Sequence, residues 1–287
     1  MEFLVEYFNN IPSAHRSAIL LGGLTFFLLL EQAAPLLRMD YKKWRHLGQN
    51  LVFTLTTVIV NFALAFMLLW ASGLAVEQGF GILQWLSGLP LWAELLLGLM
   101  ILDFIGAYVA HWAQHSVKWM WQFHLVHHTD RYVDTTSANR HHPGESVIRV
   151  FFTTAAILIA GAPFYIVMLY QSLSALLSQF NHANIRLPRW FSNAMGWIIV
   201  TPNMHRVHHH YVLPYTDTNY GNIFSIWDRL LGTYSRMNSQ DIVFGIDTHM
   251  DPEEHSRLSA LFRLPFRRYR PPVGAKFEAQ TPPNHES

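Results

Sequence analysis

The sequence predicts an all-α protein, an integral membrane helical bundle of about four transmembrane helices carrying a cytosolic, histidine-rich helical cap. Three observations predict it. Of the 287 residues, 51% are hydrophobic and only 14% are charged, against roughly 25% charged in soluble domains, and mean hydropathy is positive at +0.15. Long stretches of chain run without a charge. Seventeen histidines stand against 19 carboxylates, and 12 of the 17 fall between His111 and His210.

The spans are read in order. Residues 17–37 are apolar apart from Glu31, and no Asp, Glu, Lys or Arg occurs from His46 through Val76. A helix needs about 20 apolar residues to cross a bilayer, so both qualify. A third span covers roughly 91–114, with Glu94 and Asp103 as its only acids, and the charge-free run 150–185 is 36 residues long. That length is generous for one span and short for two, and Gly161-Ala162-Pro163 could turn a hairpin in its middle. Glu2 and Glu6 argue against a cleaved leader. Arg38, Lys42, Lys43 and Arg45 fill the loop between the first two spans, and Arg257, Arg263, Arg267, Arg268 and Arg270 crowd the C-terminal region. The positive-inside rule puts both in the cytoplasm, and the histidines with them. Three regions follow: N-terminal spans at 1–94, a histidine-rich domain at 95–236, and a basic C-terminal region at 237–287 whose tail from Pro271 is expected to be disordered.

Composition also excludes. Without cysteine there is no disulfide scaffold, thiolate zinc site, Cys nucleophile or Cys-ligated iron–sulfur cluster. A net charge of +1 gives no case for nucleic acid. No internal repeat is visible.

The histidines are spaced. His111 and His115 form H-x3-H at the end of the third span, while His124, His127 and His128 form H-x2-HH, repeated by His205, His208 and His209. Positions i, i+3 and i+4 of a helix share a face, so each group can converge on metal. His182 lies between Asn181 and Asn184, and His142 would make a tenth ligand. His141 and His210 extend clusters already filled and read as incidental neighbours. Nine or ten imidazoles overfill one site, since zinc takes three or four protein ligands. Two ions are therefore expected, with four or five ligands each. Imidazole suits iron, copper and zinc alike; redox iron is the natural choice for oxygen chemistry beside a bilayer, with zinc able to substitute in a purified sample. No H-E-x-x-H occurs, so the metalloprotease arrangement is missing.

Several flanks carry more than histidine spacing: Asp103-x3-Ala-Tyr-x2-His-Trp-x2-His115, Trp121-x-Phe-His-Leu-Val-His-His-Thr129, Asn181-His-Ala-Asn184, Thr201-Pro-x-Met-His-Arg-Val-His-His-His210, and Asp217-Thr-Asn-Tyr-Gly-Asn followed by Trp-Asp-Arg-Leu-Leu-Gly-Thr-Tyr234. Over roughly residues 95–236 the chain resembles the fatty acid hydroxylase/sterol desaturase superfamily. The resemblance implies a histidine-box di-iron centre using O2 to hydroxylate or desaturate a lipid. It carries over His111, His115, His124, His127, His128, His205, His208 and His209, with His182 as a further ligand and His142, before Pro143, as a weaker match.

Asp103, Asn139, Asn181, Asn184, Asp217 and Asn219 are candidates to hold the ligand rings by hydrogen bonds. Asp103 leads them, because an acid inside an apolar span is costly without a role. Asp228 and Arg229 read as an ion pair. With no dinucleotide motif and no cysteine, electrons are expected from a separate donor protein. The substrate is expected to be a hydrophobic lipid from the bilayer. A metal carrier or transporter, or a metal-dependent lipid hydrolase, stays open.

Overall fold

The computed structural model describes residues 1–275 and 277, and it is helical, with no strand among the described residues. After a short α1 (Glu2–Asn9), α2 (Ser13–Ala33) runs toward the histidine end of the bundle and α3 (Lys43–Glu77) runs back. A short α4 (Ile82–Trp85) and α5 (Leu91–Asp103) follow. The third span continues through a π-helical stretch at Phe104–Val109 into α6 (Ala110–Ser116). Next come α7 (Lys118–His128) and the pair α8 (Pro143–Ala160) and α9 (Phe164–His182). Four helical stretches are long and apolar enough to cross a membrane: Ser13–Ala33, Lys43–Trp85, Leu91–Ser116 and Pro143–Ala160.

The run 150–185 resolves into two helices. Gly161 closes α8 in the left-handed conformation at φ 67°, the backbone that glycine adopts without penalty. Space requires it too, because a Cβ on Gly161 would lie 2.6 Å from the Phe80 carbonyl. The helix begins at Pro143, seven residues before the charge-free run, so Glu145 and Arg149 lie inside it. Proline at the first helical position fixes that start. The first span likewise ends at Ala33, before the expected 37.

Length explains how the cap is held. At about 1.5 Å per residue, the 35 residues of α3 exceed a hydrocarbon core of about 30 Å. Its middle turns expose Phe62, Phe66 and Trp70, as a lipid-facing surface must. Its first turns bury His46, Gln49, Asn50 and Phe53 instead. There Asn50 donates to Thr136 Oγ1 at 2.8 Å and His46 lies 2.9 Å from Asp130. The cap itself is built from short helices, α10 (Arg189–Met195), α11 (Pro202–His208), α12 (Ile226–Leu230), α13 (Pro252–Ser256) and α14 (Leu258–Arg263). The C-terminal region packs into it, since Leu261, Leu264 and Tyr269 are buried with Phe53, Trp121 and Leu125. Val273 N–H donates to Asp247 at 2.9 Å; the remainder of the tail expected to be disordered, Lys276 and residues 278–287, lies outside the described residues.

Candidate metal centre

The ends of α6, α7, α9 and α11 meet at one end of the bundle, and there nine imidazoles form two buried groups. His111, His115, His124, His128 and His208 make one; His127, His182, His205 and His209 make the other. Each H-x2-HH motif is divided between them. His124 and His128 face the first group and His127 the second, whereas His205 and His209 face the second and His208 the first. The helix dictates this division: residues i and i+4 are only about 40° apart around the axis, and i+3 stands about 100° from i+4. The sequence reading, with each motif converging as a unit, is corrected on this point. The groups abut, with the His128 and His209 rings 4.9 Å apart.

Hydrogen bonds fix which nitrogen faces inward. In the first group His111 Nδ1 bonds the Tyr220 carbonyl at 2.9 Å, His208 Nδ1 the Thr218 carbonyl at 2.7 Å, His115 Nδ1 Asp217 at 3.1 Å and His124 Nδ1 Glu145 at 2.8 Å. Each Nδ1 therefore donates, and each Nε2 is left with a lone pair. Yet His111 Nε2 and His124 Nε2 lie only 3.0 Å apart. Two lone pairs facing at that distance in a dry site repel unless a cation lies between them. In the second group His182 Nδ1 donates to the Ser178 carbonyl at 2.7 Å, and its Nε2 lies 3.1–3.3 Å from those of His127, His205 and His209. Nitrogens bound to one ion at about 2.0–2.1 Å stand roughly 3 Å from each other, so the donor sets fit metal.

Burial favours the neutral form of the rings, which is the form that binds metal. Burial, with neighbouring imidazoles adding to it, holds His127, His128, His205, His208 and His209 well below the usual histidine range. Burial pushes His124 down to about 3 although the Glu145 carboxylate opposes it.

The other expected residues are placed variously. His142 joins neither group. It caps α8, accepting from Gly144 N–H at 3.0 Å, and packs on Phe123, Phe262 and Phe266. Pro143 sets its backbone extended, which turns the ring along its own helix. His141, read as incidental, lies 2.8 Å from Glu145 and stacks on His127 at 4.8 Å. His210 accepts from Val243 N–H at 3.2 Å, outside both groups.

Asp103 touches no histidine; it accepts from Ile223 N–H, Phe224 N–H and Trp227 Nε1–H at 2.9–3.1 Å. Asp228 accepts from Tyr220 N–H, Gly221 N–H and Thr233 Oγ1 at 2.8–3.0 Å. Arg229 turns instead to the Gly196 carbonyl, so the expected Asp228–Arg229 pair is not made. Asn219, between the two carbonyls that orient His208 and His111, holds φ at 53° and donates to the Met204 and Ser235 carbonyls at 2.9 Å. Asn181 donates to the Asn222 carbonyl, and Asn184 fastens Leu37. Asn139 lies half-buried in the short turn Thr135–Asn139.

Sequence reasoning missed Glu145 and the two carbonyls. Glu145 had a signal: it is an acid four residues after His141, at the head of an apolar helix. The carbonyls had none.

The fold is a helical membrane bundle with two abutting histidine groups, and comparison with known proteins shows what it is similar to. The fatty acid hydroxylase family matches residues 95–233. An ornithine lipid hydroxylase of Rhizobium tropici is 26% identical over 79% of this chain and 70% of its own length. The human alkylglycerol monooxygenase is 30% identical over 55% of this chain and 33% of its own, and a cholesterol 25-hydroxylase-like protein of Danio rerio is 30% identical over 47% and 53%. The chain thus spans about a third of the human alkylglycerol monooxygenase. No solved structure matches. The match over residues 95–233, just under half of the chain, and these relatives support a resemblance to the fatty acid hydroxylase superfamily.

Proposed function

We propose that the protein is a membrane-bound di-iron oxidoreductase that uses O2 to hydroxylate or desaturate an aliphatic carbon of a lipid, with its metal site facing the cytoplasm. The observation that carries this is the division of nine buried imidazoles into a group of five and a group of four. His111, His115, His124, His128 and His208 would hold one ion, and His127, His182, His205 and His209 the other. Iron bound there would supply the activation of O2 needed to oxidise an unactivated C–H bond.

The chain's own contribution is orientation and exclusion. Asp217, Glu145 and the Thr218 and Tyr220 carbonyls hold four rings in one tautomer. Trp121 and Tyr220 are buried against the rings of His115, His128, His111 and His208 and keep bulk water from them. The ligands begin where the spans end, so a lipid can reach them from the bilayer. Passage through water would cost about 0.8 kcal/mol per methylene, which favours lateral access beside the third and fourth spans. Electrons would come from a separate donor protein. The basic loop between α2 and α3 lies at the histidine end, where Leu36 N–H bonds the Asn184 carbonyl at 3.1 Å, and this supports the cytoplasmic assignment.

Lipid mass spectrometry of cells making the wild type or His208→Ala, grown with oxygen, tests the proposal. A lipid pair differing by one oxygen or two hydrogens is expected with the wild type alone. No such pair, with metal intact in the wild type, would favour a carrier or a hydrolase.

A further inference from the structure

At the first turn of α11 lies a second feature. Asn203 and Met204 of this helix line a cavity of about 380 Å³ that is also bordered by Arg189, Arg229 and Arg236. No acidic residue is among its lining. The Arg229 guanidinium is sandwiched between Trp197 at 4.2 Å and Tyr234 at 4.0 Å, and its buried Nε–H has no acceptor. The Arg236 guanidinium lies 5.3 Å from the Tyr234 ring, and its Nε–H donates to the Tyr234 hydroxyl. A rigid guanidinium held by aromatic faces, with a donor to spare, suits a phosphate oxygen.

The surroundings point to where that phosphate comes from. Trp190, Trp197, Ile198, Leu230 and Leu231 are 53–74% exposed beside the cavity. Trp227 of α12 packs on Phe104 at 4.9 Å, and Tyr108 bonds Thr233 at 2.8 Å. Phe104 and Tyr108 belong to the third span, so this apolar surface lies at bilayer depth, and tryptophan is enriched at that interface. We propose that the arginine cavity binds the phosphate headgroup of an anionic membrane lipid, whose chains lie over Trp190, Trp197 and Leu230. The inference depends on the membrane-spanning bundle and not on the metal centre.

Native mass spectrometry of the full-length protein in detergent tests it with phosphatidylglycerol, phosphatidylcholine and inorganic phosphate as probes. Arg189 and Arg236 are exposed, so an Arg189→Gln/Arg236→Gln variant removes charge without opening the core. The wild type should retain phosphatidylglycerol over phosphatidylcholine by about thirtyfold, as two arginines at a membrane surface provide, and the double variant should lose that preference. An unchanged melting temperature in the variant serves as the folding control, and Arg229→Lys, which keeps the charge and loses the stack, should weaken retention as a second variant. Equal retention of phosphatidylglycerol by all forms would overturn the proposal. So would inorganic phosphate binding as tightly as the lipid, which would make the cavity a site for free phosphate.

Discussion

Glu145 concentrates more of the site's electrostatics than any other non-histidine side chain in it. One oxygen, Oε1, meets His124 at 2.8 Å, His141 at 2.8 Å and Arg149 at 3.0 Å, and the residue is fully buried. Outer partners of this kind change metal affinity by about 10–100-fold. Glu145→Gln should therefore weaken the first ion by that order, read as the chelator concentration that strips it. Asp217→Asn should act in the same direction and less, because the Asp217 side chain is partly open to water while Glu145 is not. His142→Ala should remove a helix cap, costing about 1 kcal/mol, together with the ring's packing on Phe123, Phe262 and Phe266, with metal content unchanged; loss of an ion from this variant would restore His142 as a ligand. The histidines that converge were legible in the sequence because their spacing is local. Their acceptors were not, since His111 finds its carbonyl at Tyr220, 109 residues along the chain.

At the scale of elements, the two H-x2-HH motifs serve the two groups reciprocally, each giving two rings to one and one to the other. Spacing alone could indicate which histidines cluster but not their division, which depends on how α7 and α11 face each other. The segment from Asn219 to Trp227 shows the same limit. Asp103, expected near the rings, clamps this segment to the third span, while Asp228 clamps it from the other side. Both acids therefore act on His111 at a distance, through the backbone that carries its acceptor. Asp228→Asn leaves at least one buried N–H or O–H without an acceptor, so a loss of about 1–3 kcal/mol in thermal stability is expected. A variant as stable as the wild type would show that the clamp is dispensable. The hairpin at Gly161 was half legible: the turn residues were plain, but the start of α8 at Pro143 was hidden by Glu145 and Arg149 at its head.

At the scale of the molecule, charge-free length and basic loops were enough to read four spans in a helical membrane bundle. What they could not supply was the overhang of α3, whose polar first turns lie against the cap because the helix is longer than the bilayer is thick. One end of the bundle carries the basic loop and the histidines, and the other carries the α4–α5 turn. A cysteine at Ser87 should react with an impermeant reagent from outside the cell, and one at Lys42 only after the membrane is opened. The absence of native cysteine keeps that labelling clean, and the reverse pattern would invert the assignment. The central claim is that two histidine groups each hold an ion. Elemental analysis of anaerobically purified protein tests it most directly, comparing the wild type with a His182→Ala/His205→Ala variant that disables only the group of four. Two ions per chain falling to one is the predicted result; a single ion in the wild type, or the same content in both, would contradict it.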